Sequence, residues 1–329
     1  MSASSSIRAS GRSLVQGRLR DLGLVLLVAA CALAALFGPV TVLDGRLGVW
    51  SALVVAICVQ ALPFLLLGAL VAALVSVFAP EALLRALAPA NPVLAVPAVA
   101  VSGVLLPGCE CGSVPVSRSL IRRGVPEPAA LAFLLAAPAI NPVVLVSTAI
   151  AYQGDSRMVL ARFGASLLAA MLVGWAWIPL GRGRAAHGEE RLGPSRRGRL
   201  EAVRASMVAD LLDAGGFLVL GAMAAAALKV LVPEGVLAGL AEAPVLAGLA
   251  MAALAILLSL CSEADAFVAA SFAVPASAQL VFLVVGPMID LKLLAMQSGA
   301  WGTSFVLRFA PLVLASALAS SLLVGAIAL

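Results

Sequence analysis

Phe64-Leu-Leu-Leu-Gly68-Ala69, with Pro80-Glu81 behind it, returns as Phe217-Leu-Val-Leu-Gly221-Ala222, with Pro233-Glu234 behind it, at a constant offset of 153. The order continues downstream. Leu105-Leu106 and Cys109 match Leu257-Leu258 and Cys261; Phe133-Leu134, Pro138 and Asn141 match Phe282-Leu283, Pro287 and Asp290; Arg162-Phe163 matches Arg308-Phe309. Matches in one order, with the offset drifting only from 153 to 146, mark a duplicated chain rather than chance. Residues 49–180 and 206–329 are the two repeats.

The repeated material is apolar. Of 329 residues, 63% are hydrophobic and 11% charged, with a mean hydropathy of +1.14; soluble domains average roughly 45–50% and about 25%. A soluble enzyme, a disordered chain and a nucleic-acid binder are thereby excluded. Uninterrupted runs at residues 22–40, 49–78, 128–150, 159–180, 206–232, 280–299 and 303–329 are long enough to span a bilayer. Leu22 to Val40 follows a basic, Ser-rich tail, and with no small-residue cleavage site after it, it reads as a permanent helix rather than a signal peptide. Five units result: a basic tail (1–21), a leading transmembrane helix (22–43), repeat 1 (49–180), an Arg-rich linker (181–205) and repeat 2 (206–329).

Charge orients these units. The tail carries Arg8, Arg12, Arg18 and Arg20, and the linker carries seven arginines from Arg182 to Arg204, so both are expected in the cytoplasm of a bacterial-type inner membrane. An even number of crossings must separate them. Segment 93–121 resolves the parity if it dips in and returns, keeping Arg118, Arg122 and Arg123 inside. Its apolar stretch, Val93 to Leu106, reaches only ~21 Å at ~1.5 Å per residue, against a hydrocarbon core of ~30 Å. The expected fold is all-α and polytopic: two repeats, each of three transmembrane helices plus a re-entrant hairpin. Because three crossings is an odd number, repeat 2 is inverted relative to repeat 1. The second hairpin, 244–275, then enters from outside, flanked by Glu234 and Glu242.

The hairpin tips carry the chemistry. Pro107-Gly108-Cys109-Glu110-Cys111-Gly112-Ser113-Val114-Pro115 holds several helix breakers, so an unwound backbone is expected there, of the kind tolerated at membrane depth only against protein or a water-filled cavity. Its counterpart is Cys261-Ser262-Glu263-Ala264-Asp265. Ionisable groups at that depth are costly, which makes Glu110, Glu263 and Asp265 functional candidates. As thiolates, Cys109 and Cys111 suit a soft ion or a thiophilic metalloid; the alternative is that Cys109, Cys111 and Cys261 merely pack as small apolar residues, as Cys31 and Cys58 do. The helix after each hairpin is broken too: Pro138 and Asn141 correspond to Pro287 and Asp290, with Lys292 as counter-charge for Asp290 or for a carboxylate of the second hairpin. Ser262 completes the candidate set. The single His187 lies in the charged linker as a solvated residue.

Pro107-Gly-Cys109-Glu-Cys111-Gly-Ser-Val-Pro115, then Arg122-Arg-Gly124, then Ala132-Phe133-Leu-Leu-Ala-Ala-Pro138-Ala-Ile-Asn141-Pro142 resemble the predicted-permease family that includes bacterial efflux permeases for trivalent organoarsenicals. Leu260 to Phe267 and Phe282 to Leu294 resemble it as well, over about residues 50–325 in all. Glu110 stands where many members have Ser. The resemblance implies a permease with an organoarsenical as one candidate cargo.

The expected function is a secondary transporter of a small solute or metalloid, working without a cofactor and with carboxylates able to carry protons. No zinc spacing, P-loop, dinucleotide fingerprint or Ser/His/Asp set is present, so neither catalysis nor ATP-driven pumping by this chain alone is expected. A transmembrane thiol-redox conductor, pairing Cys109 or Cys111 with Cys261, is a second class, and a membrane-embedded enzyme or a subunit of a larger complex a third. The expected partners are the substrate and membrane lipid, with no nucleic acid.

Overall fold

The computed structural model describes residues 45–78, 88–89, 91–105, 110–181, 199–231 and 244–329. The leading helix, Cys109, His187, Glu234, Glu242 and most of the linker lie outside these residues. Twelve α-helices and no strand occur among the described residues. The first half contains α1 (Arg46–Phe78), α2 (Pro92–Ser102, extended by the 3-10 turn Gly103–Leu105), α3 (Glu110–Arg122), α4 (Glu127–Ile140), α5 (Pro142–Ala151) and α6 (Ser156–Gly181). The second contains α7 (Arg199–Leu231), α8 (Pro244–Leu258), α9 (Asp265–Ser271), α10 (Ala276–Met288), α11 (Leu291–Trp301) and α12 (Thr303–Ala328).

Among the described residues, six stretches are long and apolar enough to cross a membrane, and burial sorts them into two kinds. Glu127–Ala151 and Ala276–Trp301 are each 78% buried, whereas the other four range from 22% to 39%. The first two therefore form the centre. The others surround them and turn side chains such as Leu47, Leu160, Leu307 and Ile327 outward, where lipid rather than water suits them.

Both central spans are broken, but not at their prolines. Pro138 lies inside α4 and Pro287 inside α10; the breaks come three residues later. Asn141 precedes Pro142, which disfavours the α conformation, and it is extended at φ −69° and ψ 154°. Its side chain accepts from Val144 N at 2.9 Å, capping α5. Asp290, also extended, caps α11 in the same way through Leu293 N at 2.6 Å. Of the first hairpin tip, Pro107, Gly108 and Cys109 lie outside the described residues, and the part from Glu110 on is helical rather than unwound. Glu110, Cys111, Gly112 and Pro115 all lie within α3, because a proline this close to a helix start removes only the one bond that the Cys111 carbonyl would accept.

Close helix approaches fix the directions. Trp50 Nε1 donates to the Met223 carbonyl at 3.2 Å and Leu65 faces Gly215, so α1 and α7 run antiparallel. Gly68 of α1 touches the backbone of Gly112 in α3, where a methyl on either glycine would collide with the partner helix. The equivalent Gly221 of α7 abuts the Cα of Lys292 in α11. Small residues allow such contact, and between helices in lipid it is packing and hydrogen bonds that hold; Ser119 Oγ donates to the Ala72 carbonyl at 2.8 Å and Arg123 Nε to that of Val75 at 3.2 Å.

The start of α2 lies beside the end of α6, through Trp175 Nε1 to the Val93 carbonyl at 3.0 Å. The end of α3 meets the first third of α7 through Arg122 and Asp210. Both ends of segment 92–122 therefore lie at the end of the molecule where α6 stops and α7 starts, called here the linker end. Adding a methyl at Gly68 must force α1 from α3, at a cost of about 1–3 kcal/mol. Gly68→Ala should lower the thermal midpoint in detergent, while Gly164→Ala, with open space around it, should not; equal midpoints would refute the crossing.

Candidate functional site

Lys292 is the second residue of α11, near the positive end of that helix dipole, where a cation is disfavoured unless anions meet it. Two do. Lys292 Nζ lies 2.6 Å from Glu110 Oε1 and 3.3 Å from Asp290 Oδ2, and it donates to the carbonyls of Ser259 at 3.2 Å and Leu260 at 3.3 Å. Glu110 opens α3, where the dipole favours its charge. All three charged residues are buried. The pair joins the two halves of the chain: the carboxylate comes from the first and the ammonium from the second.

Glu110 and Lys292 floor a cavity of about 180 Å³. Its walls are Leu53, Ala56, Ile57 and Gln60 from the first half of α1, with Cys111 and Cys261 on opposite repeats. Cys261 Sγ also hydrogen-bonds the Glu263 carboxylate.

A second buried ion pair stands behind the first. Arg162 Nη2 is 2.9 Å and 3.0 Å from the two oxygens of Asp265 and 3.0 Å from the Ser262 carbonyl, while Nη1 donates to Thr148 Oγ1 at 2.7 Å. Ser262 belongs to both centres, since its hydroxyl donates to Glu110 Oε2 at 3.3 Å. Arg162 and Glu110 of repeat 1 thus hold the same turn of repeat 2.

The structure therefore groups Glu110, Ser262, Asp290 and Lys292 around one point and sets Asp265 with Arg162 instead. Lys292 is the counter-charge of Asp290, but its other partner is Glu110 of the first hairpin rather than a carboxylate of the second. Asn141 is spent on the helix break: its oxygen caps α5 and its amide donates to the Ala137 carbonyl at 3.3 Å. Among the described residues no group of three or more His, Cys, Asp or Glu is placed to hold a metal ion; Cys109 is not among them.

Sequence reasoning missed Arg162, Thr148 and Gln60 as site residues. Arg162 had a signal: an arginine inside an apolar run, with a repeat partner in Arg308. That partner is exposed on α12, so the likeness of sequence does not extend to the role.

An all-helical polytopic chain with buried charges from both halves around one cavity is the architecture of a membrane permease. The chain belongs to the predicted-permease family, whose model matches residues 47–326. It is 34% identical over 283 residues to the UPF0718 protein YcgR of Bacillus subtilis, covering 83% of this chain and 96% of that one. It is 32% identical over 270 residues to a Streptococcus mutans protein named as a candidate subunit of a two-component membrane permease complex, covering 78% and 89%. No solved structure matches the chain.

Removing one partner of a buried ion pair strands the other charge, at a cost of about 3–5 kcal/mol, whereas replacing both by apolar residues is often close to neutral. Arg162→Met and Asp265→Leu should each lower the thermal midpoint of the purified protein. The double substitution should recover most of the loss. A double variant as unstable as the sum of its parents would mean that the two side chains do not pair.

Proposed function

We propose that the protein is a secondary transporter of a small solute, with its binding site in the cavity bounded by Glu110, Lys292, Cys111 and Cys261. The observation that carries this reading is the cross-repeat placement of those groups: binding charge and sulfur come from both halves, so relative motion of the halves reshapes the site. The antiparallel α1 and α7 support two inverted repeats. The return of segment 92–122 to the linker end supports a re-entrant hairpin; α8 and α9 form the second, with the start of α8 and the end of α9 both beside the start of α10. The arginines of the linker support a cytoplasmic linker end. The cavity walls from the first half of α1 then lie toward the opposite side.

Two thiols beside a carboxylate favour a thiophilic cargo, a metalloid or an organoarsenical, over a hard ion. A buried carboxylate of the site carries protons in this reading, since Lys292 has two carboxylates, Glu110 and Asp290, within reach, and neutralising one leaves the other to meet its charge. The name of the Streptococcus relative extends the proposal to a second subunit in the same membrane. The redox reading is kept by one observation, that Cys111 and Cys261 line the same cavity. Thiol exchange, however, leaves Glu110 and Lys292 at its floor without a task.

Uptake and efflux in sealed vesicles, across a panel of metalloids and organic solutes with and without a proton gradient, separates the readings. Cys109→Ser with Cys111→Ser should reduce transport at least about tenfold, with the protein still folded in the membrane. Asp290→Asn should flatten its pH dependence. Undiminished transport in the cysteine variant returns the thiols to packing; electron transfer across the membrane that these serines abolish would establish the redox conductor instead.

A further inference from the structure

The cavity is half of a route. Its floor residues Glu110 and Lys292 begin α3 and α11, which both run on toward the linker end and pack against each other and against α7. Farther along, the same three helices enclose a second void. Val114, Pro115 and Arg118 of α3, Asp210, Asp213 and Ala214 of α7, and Met296, Gly299 and Ala300 of α11 line it, and it measures about 10 Å³. That is room for about one water molecule.

Two ion pairs between the halves form part of the wall of this void. Arg122 Nη2 is 3.3 Å from Asp210 Oδ2, with side chains 14% and 4% exposed, and Arg118 Nη1 is 3.7 Å from Asp213 Oδ2. Arginines four apart on α3 meet aspartates three apart on α7, so one face of each helix is committed to the contact. Neither pair touches the cavity, and Gly112 and Gly221 already provide the close packing of α1 on α3 and α7 on α11.

We infer that Arg118 and Arg122 with Asp213 and Asp210 form the gate that closes the linker-end half of the route between α3, α7 and α11. This rests on the transport reading above. The structure is then the state whose site is shut off from the linker end by a one-water constriction and two inter-repeat ion pairs. Opening needs α7 to part from α3, which breaks both pairs while the Glu110–Lys292 contact stays intact.

The test needs no substrate. In the full-length protein with its native cysteines replaced by Ser, Met296→Cys reports on the second void and Gln60→Cys on the cavity. Each is labelled in oriented vesicles with a charged, membrane-impermeant thiol reagent applied from one side at a time. Met296→Cys should be protected from the linker side, and adding Asp210→Asn with Asp213→Asn should raise its labelling from that side about tenfold, within the usual range of coupling between sites. The charge exchange Arg122→Asp with Asp210→Arg should restore protection. Gln60→Cys should label from the opposite side at one rate throughout, which certifies the fold of each variant. Unchanged labelling of Met296→Cys in the Asn variant, or no protection by the charge exchange, overturns the gate. A protein that fails every transport panel and still switches its labelling has lost the transport reading and kept the gate.

Discussion

Lys292 and Glu110 are 182 positions apart in the chain and 2.6 Å apart in space. Two unit charges at membrane depth are costly to carry singly, and each needs the other to be tolerated there. That mutual need sets much of the surrounding geometry. It draws the first turn of α3 onto the first turn of α11, brings the Cys261–Asp265 turn over both through Ser262, and leaves Asp290 to divide its oxygens between Lys292 and the cap of its own helix. Arg162 makes the same demand from the far side of that turn, so the Cys261–Asp265 turn of the second half is gripped by the first half at two charged points.

Charge alone cannot bring backbones together in lipid, where apolar side chains gain little by meeting each other rather than acyl chains. The glycines do the rest. Gly68 and Gly221 occupy the same place in the two repeats and serve different neighbours, the backbone of Gly112 in one and that of Lys292 in the other. Gly103 lies against Ala137, and at the matching crossing Ala255 faces Gly286, so the smaller residue has changed sides. The duplicated frame is shared; its contents have diverged.

The frame was legible because its causes are local or periodic. Hydropathy gives the spans, and the break at Asn141 is marked by the proline that follows it. Asp290 carries no such mark, being followed by Leu291, and only its repeat partner exposes it. The prolines three residues earlier do not make the breaks, because a proline in a membrane helix loses one bond without ending the helix, whereas an extended capping residue such as Asn141 or Asp290 ends it. The site was half legible. Its residue types stand out as ionisable groups in apolar surroundings, but which anion meets Lys292 depends on a contact between distant segments that no spacing encodes. Arg162 was obscured by averaging, since one arginine scarcely lowers the hydropathy of a 26-residue helix.

The seat of Lys292 on Gly221 has a mechanical side. With no side chain between them, Gly221 and the Cα of Lys292 form a close backbone contact that can serve α11 as a pivot near its first turn, while Phe217 of α7 packs against Gly299 farther along the same helix. Ala300, eight residues along, lies ~12 Å from that pivot at ~1.5 Å per residue, so a tilt of about 10° displaces it by about 2 Å. A water molecule has a radius of about 1.4 Å. A movement too small to disturb the ammonium at the pivot is thus large enough, at the other end of the same rigid helix, to decide whether water passes.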